Sequence, residues 1–151
     1  MKAQIEVIRK TRTFLLAGIK DLTNEQLNTI PTGFNNNIVW NLGHMVASQQ
    51  GICYTRAGLD IHVPEDFFNN YRPGSKPEGK VNDADVEKIK ELFFTTLDVL
   101  EKHYEKGLWT SYPSWSTRYG IELNSIDKAI EFLQFHEGLH SGVILAMKRI
   151  V

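Results

Sequence analysis

Three observations predict an all-α fold, a bundle of four long helices. Apolar residues recur at spacings of three and four in four separate segments, the signature of helices with one buried face. No segment shows the two-residue alternation of a half-buried strand. Two irregular connections separate the later helices, and the first is long enough to carry the chain back along a bundle. At 151 residues the chain is expected to form one domain, 1–151, able to bury roughly two-thirds of its chain surface without disulfides.

The first helix covers residues near 2–20, with Ile5, Ile8, Leu15 and Ile19 at helical spacing and Phe14 and Leu16 beside them. Lys2, Glu6, Lys10 and Lys20 occupy its other side. Thr23 and Gln26 then form a Thr-x-x-Gln capping box for a short helical turn that Pro31 ends. Asn36 or Asn37 caps the second long helix, predicted over 38–59, whose apolar positions are Ile38, Leu42, Met45, Val46, Ile52 and Cys53.

From Leu59 to about Val81 the pattern breaks at Pro64, Pro73, Gly74, Pro77 and Gly79, among Phe67, Phe68 and Tyr71. A 22-residue helix is about 33 Å long. A connection of some 23 residues spans about twice that when extended, so helices two and three can run in the same direction. The third helix starts near Asn82 or Asp83 and runs to about Lys106, with Val86, Ile89, Phe93, Leu97 and Leu100 as its stripe. A second irregular stretch holds Trp109, Tyr112, Trp115 and Tyr119. Ser125 or Asn124 caps the fourth helix, which continues almost to Val151.

Composition excludes several classes of function. A formal net charge of -1 gives no reason to expect nucleic acid or an acidic membrane surface as a partner. The apolar run FLLAGI stops at Lys20, too short for a signal-peptide core, and no stretch approaches the roughly 18 apolar residues of a membrane span. Cys53 is the single cysteine and cannot form an internal disulfide; it reads as a small buried hydrophobe. A soluble, cytoplasmic protein is expected.

The chemistry concentrates in His136 and His140, four residues apart and therefore one above the other on the fourth helix. Two neutral imidazoles on one face make half of a tetrahedral metal site. His44 lies about two turns into the second helix. If the second and fourth helices are antiparallel, His44 and His140 sit roughly 10 and 15 Å from the same end of the bundle, at matching levels. Gly43, Gly138 and Gly142 flank these histidines, and a cluster of glycines in helices suggests close helix approach.

The WNLGH of the second helix and the HEGLHSGVI of the fourth, with the GIEL lead-in and the helix lengths, resemble the DinB-like (DinB/YfiT) metal-binding four-helix bundles across essentially the whole chain. The resemblance implies an up-down-down-up bundle in which His44, His136 and His140 bind one divalent metal ion, zinc or nickel. Relatives of this kind include thiol-dependent S-transferases and a mycothiol-dependent maleylpyruvate isomerase. The implied partners are therefore a small thiol and an electrophilic substrate, and a homodimer is among the expected assemblies.

The same segment matches the H-E-x-x-H pattern of zinc proteases, but that chemistry needs a third ligand downstream. Eleven residues follow His140, none of them His, Asp or Glu, and Val143 and Ala146 stand where the longer metzincin pattern needs Gly and His. Glu137 is the candidate catalytic residue, as general base or as the acceptor that orients His44; a solvated helix carboxylate is the alternative. His103 reads as a surface residue favoured by the helix dipole, and His62 as a loop residue with no ligand role. Trp40, one turn before His44, is a candidate wall of the site. The aromatics at 109–119 either line a ligand pocket or pin their loop to the bundle end.

Three neutral ligands leave the ion its full charge and an open position, the pattern of a catalytic site. The expected function is metal-dependent transfer of a small thiol; a metal-dependent hydrolase and a non-catalytic metal- or ligand-binding protein are the alternatives. Metal affinity is expected to fall as pH drops through about 6.5.

Overall fold

The computed structural model describes residues 1–151 and is mostly helical. Six α-helices occur: α1 Lys2–Ile19, α2 Asn24–Asn28, α3 Ile38–Cys53, α4 Glu65–Tyr71, α5 Asp83–Glu105 and α6 Ile126–Met147. Two short strands, β1 Trp115–Ser116 and β2 Glu122–Leu123, pair antiparallel with Trp115 opposite Leu123.

Local sequence sets most helix starts. Thr23 and Gln26 close both halves of the capping box that opens α2. Asn37, Asn82 and Ser125 each accept a bond from the backbone N–H three residues on, which starts α3, α5 and α6. Asn37 is thus the cap of α3, and Asn36 instead bonds the Asn41 side chain. The expected stripes are buried: Ile5, Ile8, Leu15 and Ile19 on α1, and Val86, Ile89, Phe93, Leu97 and Leu100 on α5. Phe14 departs from its expected place and points to solvent.

α3 differs from the other long helices because it is buried on every side, with Gly51 its one partly exposed residue. It packs on α2, α4, α5 and α6, whereas α1 packs on α5 and α6. Between α3 and α5, Gln49 bonds Thr96 and Tyr54 meets His103, so numbers rise together along that contact. They also rise together between α1 and α6, where Arg12 meets Glu137 and Gly18 meets Leu145. They run oppositely between α1 and α5, where Arg9 reaches Asp98 and Arg12 reaches Phe93, and between α3 and α6, where Asn41 approaches Met147 and His44 lies beside His136.

Three local features depart from the sequence reading. α3 stops at Cys53 and continues as a 3-10 turn, Thr55–Ala57, closed by Gly58 at φ 72°, a left-handed conformation suited to glycine. The long connection contains α4, which opens after Pro64 with Glu65 and Asp66 in its first turn. Its flanking prolines and glycines mask it in a pattern search. The β1–β2 hairpin is too short to show alternation.

Trp109, Tyr112 and Trp115 pin the aromatic connection to the end of α3. Trp109 Nε1 donates to the Cys53 carbonyl at 2.6 Å, Tyr112 Oη to the Ile52 carbonyl at 2.8 Å, and Trp115 Nε1 to Tyr112 Oη at 3.1 Å. The Arg56 guanidinium lies 4.2 Å from the Trp115 ring centroid. Cys53 is buried there, and desolvation pushes its thiol pKa up, as fits an inert core residue.

Candidate metal centre

Antiparallel α3 and α6 bring His44, His136 and His140 together in the interior. One ligand nitrogen from each lies within 4.8 Å of the others. Ring centroids are 4.5 Å apart for His136–His140, 4.7 Å for His44–His140 and 5.4 Å for His44–His136. Each histidine is less than 10% exposed. Two nitrogens about 2.1 Å from a tetrahedral ion are roughly 3.4 Å apart, so a small inward closure of the rings accommodates one ion.

Neighbouring groups orient two of the rings. His44 Nδ1 donates to the Tyr71 carbonyl at 2.8 Å, which leaves Nε2 facing the cluster, 3.2 Å from Ser48 Oγ. His140 Nδ1 donates to Asn41 Oδ1 at 2.9 Å, and Asn41 is held in turn by Asn36 Oδ1 and the Asn37 carbonyl. Such bonds fix the tautomer and raise the basicity of the free nitrogen. His140 Nε2 and His136 Nδ1 are then buried without any partner. Buried polar atoms in folded proteins are normally satisfied, so an unpaired nitrogen on each of two clustered rings fits a site that a cation completes.

The cluster is also poised neutral. Burial, followed by the charges of His140, His44, Arg118 and Arg12, holds the His136 pKa down at about 2. Burial, His44 and Arg118 hold His140 at about 4. His44 is lowered by burial too, against the raising effect of its bond to the Tyr71 carbonyl. Neutral imidazoles are the form that ligates metal.

Trp40 does form a wall: its ring stacks on His44 with centroids 4.6 Å apart and planes 13° from parallel. Gly43 has a specific reason to be glycine, because a Cβ there would sit 2.4 Å from the Tyr71 ring. Gly138 and Gly142 face open space, so close helix approach does not explain them.

Glu137 is neither solvated nor bonded to His44. It is 1% exposed, and its two oxygens accept from Arg12 Nη2 at 2.7 Å and Nε at 3.1 Å. The orienting role expected of it belongs to the Tyr71 carbonyl. Arg12 completes its own bonding through Nη1 to the Phe93 carbonyl, joining α1, α5 and α6. His62 and His103 form a separate pair near Tyr54, with ring centroids 4.8 Å apart and Tyr54 Oη 3.2 Å from His103 Nδ1. Burial lowers the His103 pKa, the opposite of the dipole effect expected.

Sequence reasoning missed Asn41, Ser48, Tyr71 and Arg12. Asn41 and Ser48 were legible, lying three residues before and four after His44 on the same helix face. Arg12 was legible as a charge inside the Ile5–Ile8–Leu15–Ile19 stripe. Tyr71 carried no signal, because its carbonyl reaches His44 across a connection.

The geometry defines a mostly helical protein with a buried three-histidine site suited to a metal ion. The family model of the DinB superfamily matches residues 8–144, and the chain belongs to that superfamily. No curated protein matches the sequence.

Proposed function

We propose that this protein is a divalent-metal-dependent transferase that joins the sulfur of a small thiol to an electrophilic substrate. The four long helices α1, α3, α5 and α6 are taken as one domain and an up-down-down-up bundle, which the direction of their residue contacts supports. His44, His136 and His140 would hold the ion, zinc or nickel, with His44 Nε2 and His140 Nε2 as two of the ligand atoms. The observation that carries this reading is the pair of partnerless buried nitrogens on His136 and His140.

A bound divalent ion would supply the charge that holds a thiol as thiolate below its free pKa near 8.5. The protein's own residues do the rest. Tyr71 and Asn41 hold the imidazoles in the ligating tautomer, and Trp40 closes one flank of His44. Ser48 Oγ stands beside His44 Nε2, where its hydroxyl can turn toward a ligand at the open position. Glu137 acts as a structural partner of Arg12 and not as the base a hydrolase would require. We assign the protein to the cytoplasm, in keeping with its one unpaired cysteine. No helix is long and apolar enough to cross a membrane.

The test is metal-loaded protein incubated with a thiol and a chromogenic electrophile. Saturable turnover that a chelator abolishes and added zinc or nickel restores supports the transferase. Metal uptake without turnover over a panel of thiols would leave a binding protein and overturn the enzyme reading.

A further inference from the structure

One of the three imidazoles differs from the other two. His136 Nδ1 and His140 Nε2 are buried with no partner, whereas His44 Nε2 lies 3.2 Å from Ser48 Oγ. The direction of that bond follows from the far side of the ring. Tyr71 offers His44 a carbonyl, which can only accept, so in the neutral ring Nδ1 carries the proton and Nε2 the lone pair. Ser48 is therefore the donor. It stands one helical turn beyond His44 on the same face of α3, is 3% exposed, and spends its hydroxyl hydrogen on this bond alone. The next residue, Gln49, bonds Thr96 of α5 through both amide atoms, which fixes this turn of the helix.

An ion that takes the His44 lone pair removes the acceptor that Ser48 uses. A buried hydroxyl without an acceptor is costly, so it must turn to another. Two kinds remain: the His44 carbonyl one turn back, which the helix already uses, and the group that fills the open position of the ion. We infer that Ser48 is an exchangeable donor, holding His44 Nε2 until an ion arrives and then passing its hydrogen bond to an anion at the open position. It is thereby the residue that favours a ligand bound as an anion, a thiolate in the proposed reaction, over a neutral one. A hydrogen bond to an ionised acceptor is about twice as strong as one between neutral groups, so the exchange is favourable.

This inference rests on the three-histidine metal reading, and the experiment separates the two. Protein loaded with cobalt(II) is titrated at one pH with azide and with 2-mercaptoethanol, whose thiol proton passes to the buffer, and the visible cobalt spectrum gives each affinity. Ser48→Ala is expected to weaken both anions about tenfold. The same variant is expected to take up cobalt no less tightly than the wild type, because a competitor for His44 Nε2 is gone. Ser48→Thr keeps the hydroxyl and is expected to follow the wild type in both measurements. Unchanged azide affinity in Ser48→Ala would overturn the inference, since the hydroxyl would then have turned to its own helix. Tenfold weaker cobalt uptake in Ser48→Ala would overturn it as well, by making Ser48 a support of the ion. A wild type that binds azide but not the thiol, with the same loss in Ser48→Ala, would sink the transferase and leave this role of Ser48 standing. Failure of the wild type to bind cobalt would overturn both.

Discussion

Glu137 and His136 are adjacent on α6 and both buried, yet they belong to opposite kinds of polar interior. Around Glu137 the bonding closes on itself: each carboxylate oxygen meets an Arg12 nitrogen, and the third Arg12 nitrogen meets the Phe93 carbonyl. Around His136 and His140 it stays open, with one buried nitrogen on each ring left without a partner. Interiors tolerate polar groups when they are satisfied, so the first arrangement holds three helices together. The second makes sense when something from outside completes it. One residue step along a helix separates a group that fastens the fold from a group that binds.

Breaking the closed side is expected to produce the largest effect. Glu137→Ala leaves the Arg12 guanidinium buried and uncompensated, and urea unfolding is expected to show a loss of about 3–5 kcal/mol. Replacing both partners with apolar residues, Arg12→Met with Glu137→Leu, is expected to recover most of it. A single-variant loss below about 1 kcal/mol would mean that the pair is not a fastening at all.

On the open side, His140→Ala is expected to weaken metal binding at least about 100-fold, equivalent to about 2.7 kcal/mol, when followed by cobalt or zinc titration. The metal-free protein and this variant should both keep their helical circular dichroism at room temperature, because the apolar stripes do not depend on the ion. Loss of helix in either would make the ion a structural staple.

Acid sharpens the contrast further. The folded His140 and His136 pKa values, about 4 and about 2, lie below the ordinary 6.5 of an unfolded chain. Between pH 6.5 and 4 the unfolded chain therefore binds protons that the native state refuses. The stability from keeping these rings neutral is fully present above 6.5. It is lost at about 1.4 kcal/mol per pH unit per histidine as pH falls toward the folded values. Metal-free protein should show this in melting temperatures. Metal affinity of the folded protein should stay level through pH 6.5 and fall only below it, lower than sequence alone suggests, because all three ligand imidazoles are held below their ordinary value. A tenfold loss of affinity per unit beginning at 6.5 would contradict the desolvated cluster. The smallest effect is expected at His62 and His103, whose alanine variants should leave metal uptake unchanged.

The parts of this molecule legible in sequence are those governed by short-range periodicity. The stripes of α1 and α5, the capping box at Thr23 and the pairing of His136 with His140 on one face all follow from helical spacing of three or four residues. The meeting of His44 with that pair followed from rise per residue and an assumed antiparallel pairing. What stayed hidden were partners brought together by the chain's return path. Arg12 and Glu137 are 125 positions apart, and Tyr71 reaches His44 from a segment whose helix the prolines concealed. The partner of Glu137 stayed hidden because a helical wheel gives a residue's angle but not what stands across from it.

The close fit of Tyr71 over Gly43 has a kinetic side. A seven-residue helix such as α4 has little stability alone and is held where it packs. Its last residue supplies the carbonyl that His44 Nδ1 needs, so lifting α4 from α3 also frees a ligating ring to turn away. The residence time of an ion would then be set by the opening rate of a peptide segment as well as by the bonds at nitrogen, and amide exchange along α4 would slow when the ion is present.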